Sequence, residues 1–433
     1  MDWRKEFADR IVSADEAVSH IKSGDRVVVA HACGEPVVLT DAMVANAEKC
    51  GYKDVEIVHM VAMGKAGYCK PEMAEHFRHN GLFLGGSTRE AVNSGRGDFT
   101  TIFFSEVPEL FRSGAMPVDV ALIQVSEPDS HGYCSLGISC DYTKAAAENA
   151  KLVIAQINKK YPRVLGDNFI HVSKLNYIVE EDSDLIELQP AKIGDVQRKI
   201  GENVAQLVKD GDCLQLGIGA IPDATLLFLK EKKHLGIHSE MFSDGVVELI
   251  EAGVVDNSCK QIDKGICVAN FLMGTKRLYD FVDDNPMVAL KPVDVVNNPR
   301  VICQNDNVVS INSCVEVDLM GQVNSESIGP KQISGVGGQV DFVRGANMSK
   351  GGRAIMAMPA TAAHGKASRI VPFLAHGGVV TTSRNDVDYV VTEYGIAQLH
   401  GRTLRDRAKQ LIAIAAPEFR DELQEEYKRR FHE

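Results

Sequence analysis

No apolar run in this chain of 433 residues approaches the roughly 18–20 residues that cross a bilayer, so no membrane-spanning helix is expected. The amino terminus, MDWRKEFADR, is charged where a secretory signal would be apolar, and a cytoplasmic protein is the expectation. No CxxC or other zinc-type spacing occurs among the ten cysteines, so no metal site is expected. Several of them, Cys213 and Cys303 for example, lie in apolar runs where a reduced thiol behaves as a small hydrophobe. Positive charge is scarce: 47 Lys and Arg stand against 59 Asp and Glu, a net of −12. That balance is unsuited to releasing the counterions of a phosphate backbone, which argues against a nucleic-acid partner. It leaves room for a local basic pocket that holds one phosphorylated small molecule. Low-complexity tracts are also lacking, and 45% hydrophobic with 24% charged residues is the composition of a globular protein. The length exceeds one ordinary core, so two domains are expected.

What the chain does contain is an internal repeat. IKSGDRVVVAHACGEP begins at Ile21 and VKDGDCLQLGIGAIP at Val208; their Gly-Asp pairs, Gly24-Asp25 and Gly211-Asp212, are offset by 211 − 24 = 187. Further on, VSEPDSHGYCS carries Asp129 and Gly132 while CVEVDLMGQVN carries Asp318 and Gly321, offset by 318 − 129 = 189. Two anchors about 100 residues apart agree within two positions, which implies two halves of one architecture. The acidic stretch VEEDSDLIELQPAK, ending at the linker-type Pro190, gives the seam, so the domains are expected at 1–189 and 190–433. Each half opens with a helical stripe: Ala17, Val18 and Ile21 after the capping box Ser13–Glu16, then Val196, Ile200, Val204, Leu207 and Val208. Short apolar runs follow at 27–30, 56–60, 120–125, 214–216, 308–311 and 389–391. Separated by helical patterns, they predict open parallel α/β sheets with helices on both faces. Phe419, Leu423, Tyr427 and Phe431 predict a terminal helix.

In such sheets ligands gather at the carboxyl ends of the strands. GIGAIP follows the strand at 214–216, and its glycines let main-chain N–H groups approach a ligand, while Pro222 suits a first helical turn. The first half has AHACGEP at the matching place, with Ala30 instead of Gly217. A second cluster, SGVGGQVDF (334–342), leads to SKGGRA; consecutive N–H groups there can form a nest for an anion or oxyanion, or simply a sharp turn. Lys350 supplies a point charge suited to phosphate. Twenty-one residues past Gly219 stands Glu240, in HSEMFSDG. It has three readings: a ribose-binding acid of a dinucleotide site, a solvated side chain, or a nucleophile. Pro222 in place of the third glycine breaks the dinucleotide fingerprint. TEYGIAQLHGRT is expected to begin a helix, with Glu393 satisfying main chain or Arg402.

GIGAIPDA, HSEMFSDG, SGVGGQVDF, SKGGRAI and VTEYGIAQLHGRT, in this order, resemble the acetyl-CoA hydrolase/transferase family, in its 4-hydroxybutyrate and butyryl-CoA:acetate CoA-transferase branch. The resemblance covers essentially the whole chain and implies two similar α/β domains with the active site between them. It makes Glu240 the nucleophile of a ping-pong CoA transfer through a glutamyl-CoA thioester. It sets acyl-CoA against Gln215, Leu216, Gly217, Ile218 and Gly219, gives Gly338 the oxyanion, Ser334 the CoA chain and Lys350 the CoA phosphates. Asn297 matches a polar active-site position, which Asn298 could claim equally. Coenzyme A is then a substrate, with no permanently bound cofactor, and a homodimer or higher homo-oligomer is expected. An acyl-CoA hydrolase of the same family, a nicotinamide-dependent oxidoreductase and a non-catalytic CoA or sugar-phosphate sensor are the alternatives. The histidines near the motifs (His31, His131, His238, His364, His400) have no required part, because carboxylate and thiolate are already charged.

Overall fold

The computed structural model describes residues 2–432. The chain divides into two compact units: Met1–Leu188 with Val268–Val296, and Gln189–Cys267 with Asn297–Glu433. The sequence reading drew one contiguous boundary at 189/190, and the segment 268–296 departs from it. That segment joins the first unit through specific contacts. Phe271 bridges Ser139, Leu290 bridges Gly166, and the Tyr279 hydroxyl donates to Ile186 O at 2.8 Å.

The first unit is built on a seven-stranded parallel sheet. Its strands are β1 (Arg26–Val29), β2 (Val55–His59), β3 (Phe77–Gly81), β4 (Gly97–Phe99), β5 (Val120–Val125), β6 (Leu152–Ile157) and β7 (Tyr177–Glu180), ordered β4-β3-β2-β1-β5-β6-β7. Helix α1 (Ala14–Val18) precedes β1; Ser13 Oγ accepts the Glu16 amide at 3.2 Å, and Ala17, Val18 and Ile21 are buried as the stripe predicts.

The second unit repeats the plan. Helix α2 (Asp195–Ala205) leads to β8 (Cys213–Gln215), then α3 (Ala220–Leu227), β9 (Gly236–Ile237), α4 (Pro299–Ile302), β10 (Val308–Asn312), α5 (Gln339–Met348), β11 (Arg353–Ala357), β12 (Tyr389–Thr392) and β13 (Gly395–Gln398). The sheet order is β9-β8-β10-β11-β12-β13, parallel except for the β12–β13 hairpin. That hairpin takes residues 392–398 of TEYGIAQLHGRT, and the expected helix starts only at the end of the motif, where Thr403 caps the helix Leu404–Ile414; Gly395, at φ 145°, lets the chain turn back. α6 (Arg420–Phe431) closes the chain as predicted.

The order β9-β8-β10-β11-β12 matches β2-β1-β5-β6-β7. Val27 pairs with Val120, and Leu214 with Val309; 214 − 27 = 187 and 309 − 120 = 189, the offsets of the two sequence anchors. The anchors themselves share hydrogen bonds. Gly24 (φ 80°) donates to Lys53 O and Gly211 (φ 79°) to Lys233 O, each at 2.9 Å. Asp129 Oδ1 accepts the amides of His131 and Tyr133, as Asp318 Oδ1 accepts those of Met320 and Gln322. Short polar side chains that bond their own downstream amides fix such turns.

Candidate functional site

The carboxyl end of β8 builds the site. Its last residue, Gln215, is buried and is joined to Asn312, the last residue of neighbouring β10, by Asn312 Nδ2 donating to Gln215 Oε1 at 3.1 Å. Leu216 then forms an antiparallel bridge with Met241. Ser239 anchors that junction: its hydroxyl accepts the Leu216 amide at 3.2 Å and lies 2.6 Å from Met241 O. Glu240, between Ser239 and Met241, is thereby fixed beside the glycine turn and remains half-buried.

Two further segments converge on its carboxylate. Asn297, fully buried, donates from Nδ2 to Glu240 Oε2 at 2.7 Å. Asn298, the alternative claimant, instead caps α4 by accepting the Arg300 amide at 3.0 Å. Gly338 stands directly against this pair: a Cβ there would overlap both Glu240 Oε2 and Asn297 Nδ2. Its own φ of −94° would suit any residue, so close approach, not backbone conformation, requires glycine at 338. Gly338 is also the N-cap of the ten-residue α5, whose positive dipole end therefore faces the carboxylate. Gly337, at φ 52°, makes the turn that delivers the helix start. Ser334, at the start of this loop, is half-buried and donates its hydroxyl to Ser325 O at 2.8 Å.

Beside the carboxylate the glycine turn is open. A Cβ on Gly217 would meet nothing within 4 Å, so packing within the chain does not explain that glycine. Ile218 is 42% exposed. Gly219, at φ 111°, is the N-cap of α3. The first unit's matching turn is covered: Ala30 and Ala32, at the places of Gly217 and Gly219, are both buried. Of the duplicated turns, the second leaves space for a ligand.

Glu240, Asn297, Gly338 and the 215–219 turn are thus brought together, with Ser334 in the adjoining loop. Lys350 is not. Its carbonyl accepts the Asn307 amide at 2.8 Å, just before β10 begins, so it lies at the amino ends of the strands. Ten residues of α5, about 15 Å of helix, separate it from Gly338. Lys366, by contrast, lies past the carboxyl end of β11, exposed in the hairpin Thr361–Ala362/Ala367–Ser368. Sequence spacing could not separate the two, because both follow Gly338 in basic, glycine-containing loops. Ser239 was missed as well, and only its adjacency to Glu240 could have signalled it.

Among the histidines, His238 is buried near Phe342, with ring centroids 6.4 Å apart. His31 is buried in the first unit against Asp141, and His131, His364 and His400 are exposed. Glu393 accepts the Ala360 amide at 2.8 Å, the main-chain role expected of it. All ten cysteines are free thiols, seven of them buried. Among the described residues no group of His, Cys, Asp and Glu could hold a metal ion, and no helix is long and apolar enough to cross a membrane.

Residues 1–190 match the family model described as Acetyl-CoA hydrolase/transferase N-terminal domain, and residues 274–427 the corresponding C-terminal domain. The 4-hydroxybutyrate coenzyme A transferase of Clostridium kluyveri is 65% identical over 431 residues, covering 100% of both chains. The butyryl-CoA:acetate CoA-transferase of Anaerostipes caccae is 36% identical over 437 residues, covering 98% of this chain and 97% of its own. A crystal structure of 4-hydroxybutyrate CoA-transferase from Porphyromonas gingivalis superposes with a TM-score of 0.86 at 48% identity, covering 99% of this chain and 100% of that one.

Proposed function

The chain belongs to the acetyl-CoA hydrolase/transferase family, and from that premise we propose that it moves coenzyme A between a short-chain acyl-CoA and a carboxylate, with Glu240 as the nucleophile. The pairs favoured by the relatives' names are 4-hydroxybutyrate or butyrate with acetate. One observation carries the reading: a half-buried carboxylate meets a fully buried amide donor and a helix N-terminus at a glycine that tolerates no side chain.

In this reading Glu240 attacks the acyl-CoA carbonyl, forming an acyl-glutamyl anhydride and releasing CoA thiolate. The thiolate attacks the glutamyl carbonyl, giving a glutamyl-CoA thioester and freeing the first acid. The acceptor carboxylate then runs the two steps in reverse, which makes the kinetics ping-pong. A carboxylate suits the task because its anhydride is reactive enough for a thiolate to split, whereas a serine ester would be too poor an acyl donor. Asn297 Nδ2 holds one carboxylate oxygen and leaves the other to attack. The Gly338 amide receives the oxyanion of each tetrahedral intermediate, a donor worth about 3 kcal/mol. The open turn at 215–219 takes the acyl-CoA, Ser334 lies beside the CoA chain, and Lys366, in place of Lys350, meets the CoA phosphates. Binding the remote nucleotide end offsets the strain of bringing thioester and carboxylate together. No resident cofactor is required, since the carboxylate and the thiolate supply both nucleophiles. A symmetric dimer in the cytoplasm completes the reading.

Glu240→Gln tests it. Transfer from butyryl-CoA to acetate is expected to fall more than about 1000-fold, the scale for loss of a nucleophile, with CoA binding retained. Near-normal turnover would end the nucleophile reading. CoA release from the unaltered enzyme that does not depend on added acetate would favour a hydrolase.

A further inference from the structure

Strand β9 carries the chain toward Glu240, and it lies at the edge of its sheet. Its inner side is paired with β8: Gly236 N donates to Asp212 O and His238 N to Leu214 O. On its outer side, where a strand would continue the sheet, the main chain of Ile237 meets two side chains. Ile237 N donates to Asn257 Oδ1 at 2.8 Å, and Ile237 O accepts from Lys260 Nζ at 2.9 Å. Lys260 Nζ also donates to Ile266 O at 2.6 Å, and Asn257 Nδ2 lies 3.2 Å from Cys267 Sγ. Both side chains are buried, Lys260 at 4% exposure and Asn257 at 0%.

Burying an ammonium is costly, but the main-chain N–H and C=O of a covered edge strand need polar partners that apolar side chains cannot supply. The surroundings are shaped around this ammonium. A Cβ on Gly236 would come within 2.7 Å of Lys260 Cγ, so the strand omits a side chain where the lysine stem crosses it. Asn257 holds φ at 56°, a conformation that asparagine tolerates better than most residues, and this turns its amide toward Ile237. Together the two side chains imitate the missing strand and leave neither main-chain group of Ile237 unpaired.

We propose that Lys260 and Asn257 are positioning residues for Glu240, holding the nucleophile in register through the outer edge of β9. Glu240 is three residues beyond Ile237, about 10 Å of extended chain. The Ser239 hydroxyl fixes the near end of that stretch and the Lys260–Asn257 bracket fixes the far end. A misplacement of about 1 Å at a reacting atom can cost about 100-fold in rate, so a slackened edge strand registers in the chemical step before it registers in substrate binding.

The inference rests on Glu240 being the nucleophile, and the test separates the two. Lys260→Met removes the ammonium and keeps a flexible stem of similar length. Asn257→Gly removes the acceptor and keeps a residue that adopts positive φ. In full-length protein shown to be folded by circular dichroism, each is expected to lower kcat for butyryl-CoA and acetate by 10- to 100-fold while the KM for butyryl-CoA stays within twofold. Trapping of Glu240 by hydroxylamine after butyryl-CoA is added slows in parallel. Folded variants with kcat within twofold of the unaltered enzyme overturn the inference, as do equal losses in kcat and in affinity. If neither variant folds, the pair serves the fold alone and the inference fails. With Glu240→Gln inactive and both bracket variants at full speed, only this inference falls. With Glu240→Gln active, the nucleophile reading falls first.

Discussion

Replacing Gly338 with alanine adds one methyl group where Glu240 and Asn297 meet. The backbone at 338 already has φ −94° and ψ 7°, so alanine fits the conformation. The added Cβ overlaps Glu240 Oε2 and Asn297 Nδ2, and it lies 3.0 Å from Glu240 Cδ. Restoring an ordinary carbon–oxygen separation of about 3.3 Å requires the carboxylate to retreat by about 1 Å or more. Displacement on that scale costs about 100-fold in turnover, or nearly 3 kcal/mol in the barrier. The helix loses a glycine N-cap, and alanine is poorer at that position by about 1 kcal/mol. Gly338→Ala is therefore expected to lower kcat about 100-fold in butyryl-CoA:acetate exchange while urea unfolding moves little. A variant whose kcat stays within threefold of the unaltered enzyme would refute the close packing of Gly338 against a reacting carboxylate.

Two further predictions address other parts of the molecule. Lys366→Ala is expected to raise the KM for butyryl-CoA about tenfold, and Lys350→Ala to leave it within twofold, because the two lysines sit at opposite ends of the second sheet; steady-state kinetics decide. Burial holds the His79 imidazole down at about 4, against about 6.5 in an unfolded chain. The unfolded state therefore binds the proton first: the stability that neutral His79 contributes is whole above about pH 6.5 and is lost as pH falls toward 4, about 3 kcal/mol in all. His79→Asn, whose Nδ2 takes the place of the Nδ1 that meets Ile57 O, is expected to flatten that part of the pH dependence, measured as urea midpoints at pH 7 and 4.5.

Much of the architecture is legible in the sequence because it is written twice. The Gly-Asp turns need positive φ at Gly24 and Gly211, and the Asp129 and Asp318 turns need a short acceptor followed by glycine; such local demands leave residues at fixed spacing. The strand at 120–125 is predicted to the residue since both its faces are buried and its apolar run is unbroken. Less regular parts escaped. The excursion 268–296 is held by contacts to residues far away in the chain, which no local pattern records. The β12–β13 hairpin was misread because its turn, at Glu393–Tyr394, lacks the usual Asn-Gly signal. At the candidate site, Glu240 and Gly338 were singled out by resemblance. Choosing Asn297 over Asn298, and setting Lys350 apart, required knowing which end of a helix each residue occupies.

The most direct test is intact-protein and peptide mass spectrometry of enzyme mixed with butyryl-CoA and quenched during turnover. A CoA adduct confined to the peptide that contains Glu240, and discharged when acetate is added, is the predicted result. Rapid exchange with no covalent change on that peptide would contradict the account.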